Sequence, residues 1–359
     1  ESCVYKEILM KELKELTTIS SEKNQTSIVE PLKWYEPKNI AYKLSLDKRE
    51  IKNLPENQAL KAWMVQQTEA GAISRQEEVS MVPPIFLDPK PGDLVIDMCA
   101  APGSKTGQIL EMIQRPGDGC WGKVSNGLVV ANDSNRNRAF MLMHQCKRST
   151  SKNLLVTWCD AQLFPTLGPD ASKARGMKIG AFNRVLCDVP CSGDGTARKS
   201  PFMWKIWSTH ASLALHPVQI SIALRGAALL KVGGRMVYST CSFSPYENEA
   251  VICELLRLTK GSLELVECKE MLPELKRREG LSNWFVLDDE EKSNAKKNKA
   301  KKSKKMKAKV TNVGTVTLPA TNTNEVATNA NEVATNANEV ATKTNEDATK
   351  ANEVATKAK

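Results

Sequence analysis

Hydrophobic and polar positions change their spacing along this chain, and the changes divide it. In Tyr5-Lys-Glu-Ile-Leu-Met-Lys-Glu-Leu-Lys-Glu-Leu16 the apolar residues recur at i, i+3, i+4 and i+7 among charges, which predicts an amphipathic helix over residues 1–20. Residues 21–39 are rich in Ser, Asn and Pro around Pro31-Leu-Lys-Trp-Tyr-Glu-Pro37, the pattern of an ordered loop with aromatic anchors. Helical spacing returns from Glu56 to Thr68. A further helix is expected to open in Ile73-Ser-Arg-Gln-Glu-Glu-Val79, with Ser74 as its cap and Pro83-Pro84 as its end.

From residue 94 short apolar runs alternate with helical periodicity. Leu94-Val-Ile-Asp97, Leu128-Val-Val-Ala-Asn-Asp133, Leu154-Leu-Val-Thr-Trp158, the run from Arg184 and the run from Arg235 read as strands. Between them, helices are predicted over Ser104–Ile113, near Asn137–Arg148, from about His216 to Lys231 and over Glu247–Leu258. Alternation of this kind builds βαβ units, hence an α/β fold with a mostly parallel sheet and helices on both faces. The expected division is a helical extension over 1–85, the α/β domain over 86–291, a lysine-rich linker over 292–310 and a disordered tail over 311–359.

Composition changes this picture in two places. The 359 residues are 41% apolar, enough for a sizeable core, and hold no run long enough to span a bilayer and no leader with a cleavage site. We therefore expect a soluble protein with no membrane partner, in a reducing compartment where its ten cysteines need not pair. The net charge of +10 is local, because Lys292–Lys309 holds ten lysines and no acid. A nucleic-acid surface on the folded part would then be a patch rather than a general positive field. The lysine run reads as a nuclear or nucleolar signal or a nonspecific RNA attachment, against a plain solvated linker. The seven-residue repeat from Thr321 offers only Val and Ala among Asn and Thr, too little apolar surface for a coiled coil.

Candidate chemistry collects at strand ends. Arg184-Val-Leu-Cys-Asp-Val-Pro-Cys-Ser-Gly193 carries Asp188 and the thiol of Cys191 out of a strand into a turn, and Arg235-Met-Val-Tyr-Ser-Thr-Cys241 ends in a second thiol. Buried small-hydrophobe roles suit Cys146, Cys187 and Cys253. Cys191 and Cys241 differ, each following the last apolar residue of its strand, and suggest covalent chemistry on an electrophilic carbon. The loop Asp97-Met-Cys-Ala-Ala-Pro-Gly-Ser-Lys-Thr106 lets a ligand approach its backbone and leads into a helix with free amides. It is neither the dinucleotide fingerprint nor a P-loop. Asp133 and Asp160 close the next two strands; either alone would be a turn former, but with Asp188 they outline a nucleoside pocket. Arg198 and Lys199 are candidates for phosphate contact, against a solvated charged loop, Trp204 and Trp207 are expected in the core, and no metal is expected from the His and Cys spacing.

These motifs, with Ser239-Thr-Cys-Ser242, closely resemble those of the Sun-type (RsmB/NOP/Sun) RNA cytosine-5 methyltransferases. Ile73-Ser-Arg-Gln-Glu77, Gly193-Asp-Gly-Thr-Ala-Arg-Lys199 and Gly233-Gly-Arg-Met-Val-Tyr-Ser-Thr-Cys-Ser242 look most like the eukaryotic transfer-RNA branch. The resemblance runs from about Lys11 to Val286. It implies a Rossmann-like fold, S-adenosyl-L-methionine as cofactor, and RNA as substrate, transfer RNA before ribosomal RNA. By it, Cys99, Ala100, Ala101, Pro102, Gly103, Ser104 and Lys105 line the methionine and sugar side of the cofactor, Asp133 holds the ribose and Asp160 the adenine. Asp188 lies near both cofactor and base, Cys241 is the nucleophile, and Cys191 helps release the product. Lys105 is catalytic or fixes the loop through an ion pair. A monomer in the nucleus, or its nucleolus, is expected.

The sequence departs from the family after Leu281-Ser-Asn-Trp-Phe-Val286, where members continue to a strand with Pro-His and a Gly-Gly-Phe-Phe-like segment. Here that last strand is lacking, and the lysine run follows. Two readings stay open: an active enzyme, or an RNA-binding relative impaired in catalysis. A DNA methyltransferase is a distant third, because Cys241 would then have no role.

Overall fold

The computed structural model describes residues 6–21, 29–35, 40–46, 48–114, 126–149, 151–166, 180–286 and 311–312. The lysine run and all of the repeat tail beyond Asn312 lie outside the described residues. The chain opens with α1 (Lys6–Ser21), a small antiparallel pair of β1 (Val29–Pro31) and β2 (Tyr42–Leu44), then α2 (Lys48–Asn53), α3 (Gln58–Glu69) and α4 (Val82–Leu87). Leu32, Trp34 and Tyr35 are buried with Ala41 and Ile85, so the aromatic anchors expected in this stretch do hold it against the rest.

The helix expected from Ile73 is not there. Residues 72–77 are irregular, a 3-10 turn begins only at Glu78, and Ser74 caps nothing. Pro83 and Pro84 sit in the first turn of α4 rather than ending a helix, since a proline there gives up an amide that has no intrahelical partner anyway.

The central sheet matches the alternation read from the sequence. It comprises β3 (Leu94–Asp97), β4 (Leu128–Asn132), β5 (Leu154–Thr157), β6 (Phe182–Asp188) and β7 (Leu230–Ser239), all parallel, in the order β5-β4-β3-β6-β7. The connecting helices are α5 (Ser104–Ile113), α6 (Arg136–Lys147) and, after the single turn α7 (Met203–Ile206), α8 (Thr209–Leu229); α9 (Glu249–Thr259) follows β7. Val95, Ile96, Val129, Val185, Leu186 and Cys187 are fully buried, because strands covered on both faces have no solvent side. α8 begins seven residues before the expected His216, capped by Ser208, whose hydroxyl accepts from the Ala211 amide at 3.3 Å, and it carries Pro217 inside.

Strand order reverses between β3 and β6, and at such a point the carboxyl ends of the strands leave a crevice. Among the described residues β7 is an edge strand of this sheet. The two-residue strands β8 (Phe285–Val286) and β9 (Thr311–Asn312) pair with each other, apart from it.

Candidate active site

Parallel pairing of β6 and β7 sets Asp188 opposite Ser239, so the turns after both strands leave the sheet side by side. The consequence is direct: Cys191 Sγ and Cys241 Sγ are 3.2 Å apart. The Cys241 amide also donates to Cys191 Sγ at 3.3 Å. A neutral Cys191 thiol satisfies both contacts at once, giving its proton toward Cys241 and accepting the N–H. That hydrogen bond lowers the Cys241 thiol from its ordinary value to about 7, against partial burial and the nearby Asp188 charge, with Lys105 helping. The same bond, with burial, raises Cys191. Cys241 is therefore the thiol poised to ionise, and it is exposed while Cys191 is half-buried.

Asp188 connects the thiols to the loop after β3. Its Oδ1 accepts from the Ser239 hydroxyl at 2.8 Å and its Oδ2 meets Lys105 Nζ at 2.7 Å. Lys105 so makes the ion pair that was one of its two expected roles. The loop itself turns at Gly103, whose φ of +111° suits glycine, and where a Cβ would stand 2.9 Å from Leu142 Cδ1 of α6. A cleft of about 1280 Å³ opens against this loop. Cys99, Ala100, Ala101, Pro102, Ser104, Lys105 and Asp188 are among the residues that line it, together with Arg75, Gln76, Arg198 and Lys199.

Asp133 and Asp160 lie outside that lining. Asp133 is almost wholly buried, its carboxylate accepting from the amides of Ala101 (3.3 Å) and Asn135 (3.0 Å) and facing Arg138 at 3.3 Å. Asp160 Oδ1 accepts from the Gln162 amide at 3.2 Å and caps a 3-10 turn. Both make the turn-forming bonds that strand-end acids commonly make.

The thiols expected in the core divide. Cys146 and Cys187 are buried, and burial pushes Cys146 up to about 12 and Cys187 further; Cys253 is only half-buried. Trp204 and Trp207 correct the expectation outright: Trp204 is 81% exposed and Trp207 38%. They sit on and just after α7, one turn of helix too short to bury a face. Lys199 pairs with Glu77 at 2.7 Å, both exposed.

Three residues escaped the sequence reading. Asn132, at the end of β4, donates to the carbonyls of Met98 (3.1 Å) and Cys159 (2.8 Å) and accepts from the Cys159 amide and the Thr157 hydroxyl, so it pins the loops on both sides. Asp97 accepts from Thr106 at 2.7 Å through Oδ2, while its buried Oδ1 has no partner; burial raises this carboxyl to about 7. Glu247 is fully buried between the two thiol turns. No local spacing signals these roles: Met98 lies 34 positions from Asn132 and Ser192 lies 55 from Glu247, while Asp97 is set apart by the buried oxygen that Thr106, nine positions on, leaves without a partner.

The strand order, with its reversal beside the loop after β3, defines a Rossmann-like α/β fold. Within that class the chain belongs to the family described as 16S rRNA methyltransferase RsmB/F, whose model matches residues 84–281. It is 47% identical over 262 residues to a tRNA (cytosine(34)-C(5))-methyltransferase of Drosophila melanogaster, an alignment covering 72% of this chain and 34% of the relative. It is 45% identical over 276 residues to a multisite-specific tRNA:(cytosine-C(5))-methyltransferase of Saccharomyces cerevisiae, covering 77% of this chain and 40% of the relative. A tRNA (cytosine(49)-C(5))-methyltransferase of Pyrococcus abyssi is 36% identical over 214 residues, 60% of each chain. The chain thus spans well under half the length of the two eukaryotic relatives.

Proposed function

We propose that this chain carries the catalytic centre of an RNA cytosine-5 methyltransferase whose substrate is transfer RNA, working through a covalent bond between Cys241 and the base. The observation that carries the reading is the approach of Cys191 to Cys241 beside Asp188. Carbon 5 of cytosine is a poor nucleophile, and a thiolate added at carbon 6 is what makes it reactive. Cys241, lowered to about 7, supplies that thiolate near neutral pH. Asp188, steadied by Ser239 and Lys105, accepts from the amino group at the pairing edge of the base and so orients it, and the Lys105 ammonium beside it offsets the negative charge that develops on the ring as the thiolate adds. A base then takes the proton from carbon 5, the electron pair left behind re-forms the double bond between carbons 5 and 6, and the Cys241–carbon 6 bond breaks to return the thiolate; the Cys191 thiol serves this release. The target base must leave its stack to reach these groups.

The cleft beside Cys99–Lys105 suits S-adenosyl-L-methionine: small residues on the wall, the amino end of α5 and the unpartnered, buried Asp97 Oδ1 offer room and polar partners. When bound, the cofactor supplies an electrophilic methyl group. Cys99 to Lys105 would hold its methionine and sugar side, Asp133 the ribose and Asp160 the adenine. Both acids would exchange part of their present turn bonds to do so. Arg198, at the cleft, is suited to an RNA phosphate. Transfer RNA comes first because the aligned relatives named above carry that substrate in their names; ribosomal RNA is the alternative. We take the working unit to be a monomer in the nucleus.

The test is an adduct between protein and RNA that survives denaturant. Cys191→Ala should accumulate it with transfer RNA and cofactor, and Cys241→Ala should form none. The opposite pattern would exchange the two roles.

A further inference from the structure

Each of the two thiols is followed in sequence by a serine, and both serines bond the same buried carboxylate. Glu247 Oε1 accepts from the Ser192 amide at 2.7 Å and from Gln219 Nε2 at 3.0 Å. Its Oε2 accepts from the Ser192 hydroxyl at 2.5 Å and from the Ser242 hydroxyl at 2.6 Å. The direction of these bonds follows from Glu247, whose ionised carboxylate can only accept. Ser192 Oγ accepts from Trp207 Nε1 at 3.0 Å and Ser242 Oγ from the Ser244 amide at 3.0 Å, and both of those groups can only donate. Each hydroxyl so accepts one N–H and has its own proton for Glu247. Gln219 ties the same assembly to α8 and also donates to the Pro190 carbonyl at 2.9 Å. The Glu247 main-chain carbonyl accepts from Tyr238 of β7 at 2.6 Å.

We propose that Glu247 is a positioning residue for the reaction, a single carboxylate that locks the Cys191 and Cys241 turns into one register and so fixes the separation of the two sulfurs. It touches neither sulfur and acts through Ser192 and Ser242. The proposal rests on the roles given above to the two thiols. Burial alone would raise this carboxyl, but the donors from Ser192, Ser242 and Gln219 outweigh it and hold it below its ordinary value, as an ionised acceptor. A neutral amide in its place keeps only one acceptor oxygen: an NH₂ group at the Oε1 position meets the Ser192 amide, which can only donate, and at the Oε2 position it takes the acceptor from both serine hydroxyls, so the circuit cannot close.

The experiment uses Glu247→Gln, Ser192→Ala and Ser242→Ala in the whole chain. The first reading is the alkylation rate of Cys241 against pH, located by mass spectrometry, with Cys191, Asp188 and Lys105 as the groups facing it. Loosening the clamp weakens the Cys191–Cys241 hydrogen bond, so the alkylation midpoint should rise by about one pH unit in Glu247→Gln and in Ser242→Ala. The second is adduct formation and release with transfer RNA, where a misplaced thiol costs about ten- to a hundredfold. Ser242→Ala should slow formation, Ser192→Ala should form the adduct but release it slowly, and Glu247→Gln should do both. A merely structural Glu247 lowers the melting temperature without this division. Wild-type midpoint and wild-type adduct kinetics in Glu247→Gln that melts cooperatively overturn the proposal; if that variant does not fold, wild-type behaviour in both serine variants does so. A shifted midpoint in a chain whose wild type makes no adduct upholds the clamp and instead removes the methyltransferase reading.

Discussion

The Sγ atoms of Cys191 and Cys241 lie 3.2 Å apart although the residues are 50 positions apart in the chain. Because the Cys191 thiol is the donor to Cys241, removing it should harm Cys241 as an acid. In Cys191→Ala the Cys241 thiol should return toward the ordinary value, about 8.5 for a free thiol. Its alkylation at pH 7 should then slow about tenfold, with the midpoint moved to higher pH. An unchanged midpoint would mean that Lys105, not Cys191, sets the acidity.

The same hydrogen bond gives methyl transfer a defined pH dependence. The nucleophile is the ionised form, and the folded value is lowered, so the thiolate is present above about pH 7 and is lost as pH falls through it. Single-turnover transfer should rise with pH through that range and level off above it. A rate that is flat from pH 6 to 8 would place another step in control.

Asp188 is held on one side by Ser239 and on the other by Lys105. Asp188→Asn keeps the shape but removes the charge at the base edge and leaves Lys105 unpaired. Loss of transfer by about a hundredfold or more is expected, with the chain still cooperatively folded by calorimetry. Activity within a few-fold of wild type would remove Asp188 from the mechanism.

Gly195 donates its amide to the Cys241 carbonyl at 2.9 Å, and a Cβ at this position would stand 2.5 Å from that same oxygen. Gly195→Ala must therefore push the end of β7 away and displace Cys241. A fall in transfer of about a hundredfold is expected from a displacement on the order of 1 Å. Gly92→Ala is a useful contrast, since at Gly92 nothing stands within 4 Å of the added carbon. There the cost should be confined to backbone strain at its φ of +91° and appear in the melting temperature, not in the chemistry.

Glu247 also links stability to pH. Its folded value lies below its ordinary 4.5, so the ionised carboxylate stabilises the protein above that value and the contribution is lost as pH falls through the folded one. The melting-temperature gap between wild type and Glu247→Gln should be widest near pH 6 and close on acidification. A gap that stays constant down to pH 3 would mean that ionisation contributes nothing.

Much of this centre can be read from the sequence, and the reasons for what cannot are physical. Apolar runs such as Leu94–Asp97 and Phe182–Asp188, buried on both faces and stopped by Asp, Pro or Gly, announce parallel strands and their carboxyl ends. That is enough to bring Asp188, Cys191 and Cys241 to one edge. Pro83-Pro84 misleads because a proline pair opens a helix as readily as it closes one. Trp204 misleads because aromatic residues at helical spacing imply a buried face only when the helix is long enough to have one. Glu247 and Asn132 leave no local pattern, since each is defined by partners reached only after the sheet has formed.

The most direct measurement is transfer of a labelled methyl group from S-adenosyl-L-methionine to unmodified transfer RNA by the wild-type chain and by Cys241→Ala. The account predicts label at carbon 5 of cytosine with the wild type and none with the variant. Label that persists in Cys241→Ala, or a folded wild type that binds cofactor and RNA yet transfers nothing, would contradict it.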